Sequence, residues 1–214
     1  MTQQTSPSDV ARIFDAEVRE DEPFVPSYNV APTDPVTVVL QRDDGRAVER
    51  HRWGLIPAWA NDPRDGARMI NARAETVETS PAFRVAFRKR RCIVPADGFY
   101  EWQRRDGKRQ PWFIHPSCSV VTTRANDQMA SLHDRMPVIL ERDAWWHWLD
   151  PAESDLAFLQ SLLEPAPDDS LALYPVSTRV NSVRNNGPEL IEPLVSAAAE
   201  TDTKPHNGQQ TLFG

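Results

Sequence analysis

Glu101 lies in the run Gly98-Phe99-Tyr100-Glu101-Trp102, an ionisable carboxylate set among aromatic residues. The two-residue period of a strand puts Phe99 and Glu101 on one face and Tyr100 and Trp102 on the other. Desolvation there would raise the pKa of Glu101 towards general acid or base use; a strand-edge glutamate that reaches solvent fits the same run. A second segment, Leu132-His133-Asp134-Arg135-Met136-Pro137, presents an imidazole, a carboxylate and a guanidinium just before a strand, as would a solvated turn with a salt bridge. In the third, Met69 to Thr76, alternation places Asn71, Arg73 and Glu75 on one side. Such a row of amide, guanidinium and carboxylate orients a sugar-phosphate or forms the wet face of an edge strand.

Other chemistries find less support. Cys92 and Cys118 lie in or beside apolar strand segments, where a cysteine behaves as a small hydrophobe with a raised pKa. The five histidines are scattered, so no metal is expected. Gly-rich phosphate loops and a serine nucleophile elbow are absent, and no cofactor is expected. Trp145, Trp146 and Trp148 read as helix packing rather than as base-stacking platforms.

The elements that must position these groups are short, because nineteen prolines against eight glycines break the chain throughout. Strand signals fall at Val36 to Leu40, Ala47 to Ile56, Arg91 to Val94, Gly98 to Gln103, Trp112 to His115, Val120 to Thr123, Val138 to Leu140 and Leu171 to Val176. Turn clusters at 43–46 and 105–108 join two hairpins. Helices are expected at Pro7 to Val18, with Ser6 as cap and Pro7 in the first turn, near Pro81 to Arg90, and at Asp143 to Leu149 with Asp143 as cap. The fold class is mixed α+β with mostly antiparallel strands and a few short helices. From Ser196 onward periodicity is lost, so residues 1–195 read as one domain and 196–214 as a disordered tail.

A chain of 214 residues, 40% apolar, suffices for one sizeable core. No apolar run approaches the ~18 residues of a membrane span, and the N-terminus lacks an export signal; a cytoplasmic monomer is expected. The net charge of -7 argues against a molecule whose global field gathers phosphates, so a polyanion would need a local basic cleft.

Taken in order, YNVAP (28–32), WGLIPAW (53–59), INARAET (70–76), RCIVPADGFYEW (91–102), HDRMP (133–137) and PVSTRVNSVRNNGPELIEP (175–193) closely resemble the SOS-response-associated peptidase (SRAP) family. The resemblance covers nearly all of the chain from Tyr28 to Pro193. It implies a single domain with a barrel-like sheet core, binding of single-stranded DNA at abasic sites, and a covalent DNA-protein crosslink through an N-terminal cysteine. An abasic sugar opens to an aldehyde, an α-amine condenses with it, and the neighbouring thiolate closes a thiazolidine. Carried over by motif, Glu101 and His133 are the proton-transfer pair and Asn71 fixes the N-terminal residue. Arg73 and Arg135 are phosphate clamps, with Trp59 and Trp102 as apolar walls for the unpaired strand.

Two departures stand out. Family members begin Met-Cys-Gly-Arg-Phe, whereas this sequence begins Met1-Thr2-Gln3-Gln4, which fits a misplaced start, a truncated paralogue or a decaying gene. If Met1 is removed, Thr2 offers an amine and a hydroxyl, which closes a weaker ring. Between His115 and Ser119 the sequence passes directly into SVVTTRAND, without the strand segment the family has there. The alternative is a non-covalent single-stranded DNA-binding pseudoenzyme; a protease acting on other proteins ranks below both. The end of the tail, with Gln209, Leu212 and Phe213, is similar to peptides that dock on DNA sliding clamps, making a clamp an expected partner.

Overall fold

The computed structural model describes residues 1–20, 22–57, 59–62, 64, 66, 69–115 and 121–194. The expected tail with Gln209, Leu212 and Phe213, Cys118, and most of the shortened His115 to Ser119 connection lie outside the described residues.

Helix α1 spans Pro7–Phe14, with the Ser6 hydroxyl accepting the Asp9 N–H at 3.1 Å and Pro7 in the first turn. It stops short of Val18 because Asp15 turns left-handed at φ 47°. The chain then enters β1 (Glu17–Val18), which pairs in parallel with β3 (Gly45–Arg52), itself hairpinned to β2 (Pro35–Arg42). A second sheet has the order β4 (Ala72–Arg73), β7 (Val121–Arg124), β8 (Arg135–Pro137), and a third the order β5 (Phe99–Arg105), β6 (Lys108–His115), β9 (Ala172–Pro175). Short helices α2 (Arg84–Lys89), α3 (Asp127–Ala130), α4 (Trp145–Leu149) and α5 (Leu156–Ser161) lie between the strands.

The fold is therefore mixed α+β, with four of six strand pairings antiparallel. Among the described residues the strands form three small sheets and no pairing closes the barrel-like core that was expected. β4 and β8 hold only two and three residues, and Pro137 and Pro175, which end β8 and β9, lack a backbone donor of their own. The strand expected at Arg91 to Val94 reduces to one bridge, Ile93 to Val39. The strand expected at Val138 to Leu140 forms earlier, over Arg135–Pro137, so His133 and Asp134 lead straight into it. Asp143 does not cap: it sits within a 3-10 turn, Arg142–Ala144, and α4 follows without a side-chain cap.

β2 explains its own β-branched run. Val36, Val38 and Leu40 pack into one core with Met1, Val30, Phe99, Met129 and Met136, while Val39 faces another built from Val10, Phe14, Val48 and Trp148. A strand covered on both faces reads as continuously apolar. Trp145 stacks on Phe14 at 4.3 Å and Trp148 is buried, so the expected packing role holds for both.

The beginning of the chain is core material. Thr2 is fully buried, its N–H donating to Gly98 O at 2.9 Å, and the Gln3 amide bonds Thr37 and Pro95. Asp97 accepts from the Thr5 hydroxyl at 2.6 Å and from the Gln4 N–H at 2.5 Å. An alanine Cβ at Gly98 would lie 2.3 Å from the Phe113 ring, so this close approach of strands requires glycine.

Candidate functional site

Where β5, the segment leading into β8 and the first residue of the chain meet, a cavity of about 740 Å³ opens, lined by Met1, Asn71, Glu101, Trp102, His133 and Arg135 among others. Five of the seven residues singled out from the sequence thus converge, although they span positions 71 to 135. Arg73 and Trp59 do not line the cavity. Arg73 is exposed on β4, where its charge acts on Glu75, and Trp59 is 58% exposed on the loop after β3.

Glu101 stands directly across the hairpin from Trp112, so the two side chains share a face. Burial raises the pKa of Glu101; the neighbouring His133 and Arg109 and the Trp102 N–H oppose this, and Asp134 adds to it. The result is a carboxyl that holds its proton more tightly than a free glutamate, as a group able to donate and recover a proton must. Solvent reaches His133, whose side chain is 46% exposed. Its Nδ1 accepts the Arg135 N–H at 3.0 Å, which in the neutral ring leaves the proton on Nε2. The same Nδ1 lies 3.0 Å from Asp134 Oδ1, a contact that becomes an ion pair only when the ring is protonated.

Arg135, expected to clamp a phosphate, is engaged here by protein groups. Its guanidinium binds both Glu75 carboxylate oxygens, at 3.1 and 2.9 Å, and donates to the Thr122 hydroxyl at 3.2 Å and the Thr122 carbonyl at 2.6 Å. A phosphate clamp would need those donors back, so in this arrangement Arg135 ties β8 to β7 and to the 3-10 turn at Ala74–Thr76. Trp102 does form a wall of the cavity, its indole N–H held by Asn181 Oδ1 at 2.7 Å.

Three residues of the site escaped the sequence reading. The Asn29 amide donates to the carbonyls of Val180, Ser182 and Asn185 at 3.0 to 3.2 Å, pinning the 178–186 loop to the rim. Asn181 on that loop fixes the Trp102 ring, and Arg109 places its guanidinium 5.8 Å over the same ring. The signal for Asn29 was an amide inside an otherwise apolar run, Tyr28 to Pro32; Asn181, in a polar stretch, and Arg109 gave none.

No thiol lines the cavity among the described residues. Burial pushes the Cys92 thiol up to about 11, which removes it as a nucleophile at neutral pH. Thr2, the residue that loss of Met1 would expose, is buried behind the cavity instead of lining it. Among the described residues no three His, Cys, Asp or Glu side chains converge on a metal position, and no helix is long and apolar enough to cross a membrane.

The family model described as SOS response associated peptidase (SRAP) matches residues 1–117 and 116–183. The two matched segments overlap at residues 116–117. The chain is similar to abasic site processing protein YoqW of Bacillus subtilis, 42% identical over 194 residues covering 79% of this chain and 87% of that protein. It is also similar to abasic site processing protein HMCES of Gallus gallus, 33% identical over 228 residues covering 80% and 67%. A crystal structure of a protein from Bacteroides thetaiotaomicron superposes with a TM-score of 0.74 at 22% identity, over 91% of this chain and 98% of that one.

Proposed function

This chain belongs to the SOS response associated peptidase (SRAP) family, and on that premise we propose that it processes abasic sites in single-stranded DNA, with the base-free sugar seated in the cavity between Glu101, His133 and Met1. The observation that carries the reading is the convergence of a half-buried, proton-retaining carboxyl and a solvent-accessible imidazole beside the first residue of the chain.

The chemistry follows from these positions. The open form of an abasic sugar carries an aldehyde, and a primary amine adds to it to give a carbinolamine. Protonated Glu101 supplies the proton that lets the hydroxyl leave as water, forming the imine. His133 accepts the proton shed by the attacking amine. A thiol on the amine-bearing residue would then add its sulfur to the imine carbon, the nitrogen taking up a proton, to close a thiazolidine. Asn71 at the rim can orient the terminal residue, and Trp102 offers a flat apolar wall to an unpaired base.

In the sequence as given the residue at the cavity is Met1, so the ring-closing step needs a cysteine presented ahead of it. The absence of a cavity thiol among the described residues favours a second reading, in which the chain holds abasic single strands without a durable bond. An abasic oligonucleotide incubated with this chain, and with a version carrying Met-Cys-Gly-Arg-Phe in place of Met1, separates the two. An SDS-stable shift with the cysteine version alone supports non-covalent holding by the chain as given and crosslinking by the fold. The absence of both a shift and reversible binding in either version overturns the proposal.

A further inference from the structure

The β5–β6 hairpin continues past the cavity wall into a tip that carries Arg104, Arg105, Lys108 and Arg109, all exposed, with Asp106 the one acidic residue in the turn. The register sets Arg104 opposite Arg109 and Arg105 opposite Lys108. Like charges directly opposite on an antiparallel pair destabilise the hairpin, so sequence and register conflict here. In a chain of net charge -7, carboxylates that could relieve this conflict are plentiful.

Elsewhere they are used in that way: Arg12 sits on Asp9, Arg42 on Glu49, Arg46 on Asp15 and Arg50 on Glu22. Among the described residues Arg104, Lys108 and Arg109 make no such pair, and Arg105 approaches only Asp106, at 3.9 Å. A second run of cations, Arg88, Lys89 and Arg90 at the end of α2, is accounted for by the negative end of that helix, and Arg91 after it is taken up by backbone carbonyls. No such local cause exists at the hairpin tip. Trp102 and Arg109 line the cavity, and the Arg109 guanidinium overhangs the Trp102 ring, so the basic strip begins at the cavity wall and runs outward for about 10 Å of strand.

We propose that the β5–β6 tip is a phosphate-binding arm that receives the nucleic-acid backbone as it leaves the cavity. The proposal rests on the DNA reading above and adds the route taken by the flanking nucleotides. Arg109 takes the phosphate next to the lesion, and Arg104, Arg105 and Lys108 take those further out, with the mutual repulsion of the four side chains relieved when phosphates come between them.

The test uses the full chain and oligonucleotides bearing a tetrahydrofuran lesion, which cannot open to an aldehyde, so that binding stays reversible. Anisotropy is followed across salt concentrations for the wild type and for the triple variant Arg104→Thr, Arg105→Thr, Lys108→Thr. Each single-strand phosphate contact contributes about 0.7 to the log-log salt slope, so the variant's slope is expected to be shallower by about 2. Between about 50 and about 200 mM salt the wild type then loses about twenty-fold more affinity than the variant. Lengthening the strand from about five to about fifteen nucleotides is expected to gain less in the variant than in the wild type. Equal slopes overturn the arm while leaving the cavity reading intact; no binding by the wild type at either length overturns the cavity reading itself. Thermal melting shows whether the triple variant is folded, and should it not be, Arg104→Gln alone is expected to lower the slope by about 0.7, an unchanged slope again counting against the arm.

Discussion

The Arg135 guanidinium closes on both carboxylate oxygens of Glu75, and the same two residues stand 60 positions apart in the chain. This pair holds β8 against the turn that follows β4, and it keeps a positive charge at the cavity edge neutralised. Stability and the proposed polyanion affinity are therefore opposed at one contact.

Glu75→Gln is expected to lower stability at neutral pH by about 0.5 to 1 kcal/mol, because the carboxylate is half exposed and solvent screens the pair. The same change removes a negative charge from the cavity edge and should tighten DNA binding several-fold. The hydrogen bond from Arg135 holds the Glu75 carboxyl below the usual carboxylate range. Its contribution is thus present above the unfolded pKa of about 4.3 and lost as the pH falls further. Urea titrations at pH 7 and near pH 3 check this: the wild type should lead the variant at the first and by less at the second.

Glu101→Gln should act in the opposite sense on stability. An acid whose pKa is raised by folding binds more protons folded than unfolded, so stability declines as pH climbs through the folded pKa. Replacing the carboxylate by a neutral amide is expected to stabilise the fold at pH 7 by on the order of 1 kcal/mol, with the advantage gone below about pH 4. Reaction with an aldehyde-bearing abasic strand should fall by about a hundred-fold or more in the cysteine-bearing version. Paired melting curves and single-turnover crosslinking measure the two effects.

Arg91 offers a test remote from the cavity. Its buried guanidinium donates to the carbonyls of Phe87 at 2.8 Å, Arg88 at 3.0 Å and Trp148 at 2.6 Å, and to that of Asp150, closing the C-terminal ends of α2 and α4 with one side chain. Burial pulls its pKa down, but guanidinium stays charged at any working pH. Arg91→Met should cost about 3 kcal/mol or more by leaving buried carbonyls unpaired. Arg91→Lys should recover a small part of that, as seen in chemical denaturation midpoints.

The Cys92 thiol gives a fourth check. With its pKa pushed up to about 11, thiolate at pH 8 amounts to about one molecule in a thousand. In a Cys118→Ser background, a thiol reagent should therefore label the native protein slowly and the urea-unfolded protein at once. Equal rates would mean that the Cys92 environment is open to water.

Much of this architecture was readable in advance where the physics is local. β2, β3, β5 and β6 announced themselves through apolar runs bounded by Asp-Gly turns, and α1 through Ser6 and Pro7. Glu101 stood out because a carboxyl among aromatics is anomalous in any fold. β4 and β8 were less legible because two or three residues become strands only when β7 lies between them. The diversion of Arg135 to Glu75 depends on a 60-residue closure that no spacing rule encodes, and the place of Arg109 over Trp102 depends on cross-strand register. The burial of Thr2 was hidden for a similar reason, since Gly98 and Ser27 supply its surroundings and those of Gln3.

Because Met1 lines the cavity and Thr2 is sealed behind it, anything fused ahead of the first methionine must pass through the space proposed for the nucleotide. A polyhistidine leader placed there for purification would act as a tethered competitor, and its proteolytic trimming would read out as a gain in DNA affinity.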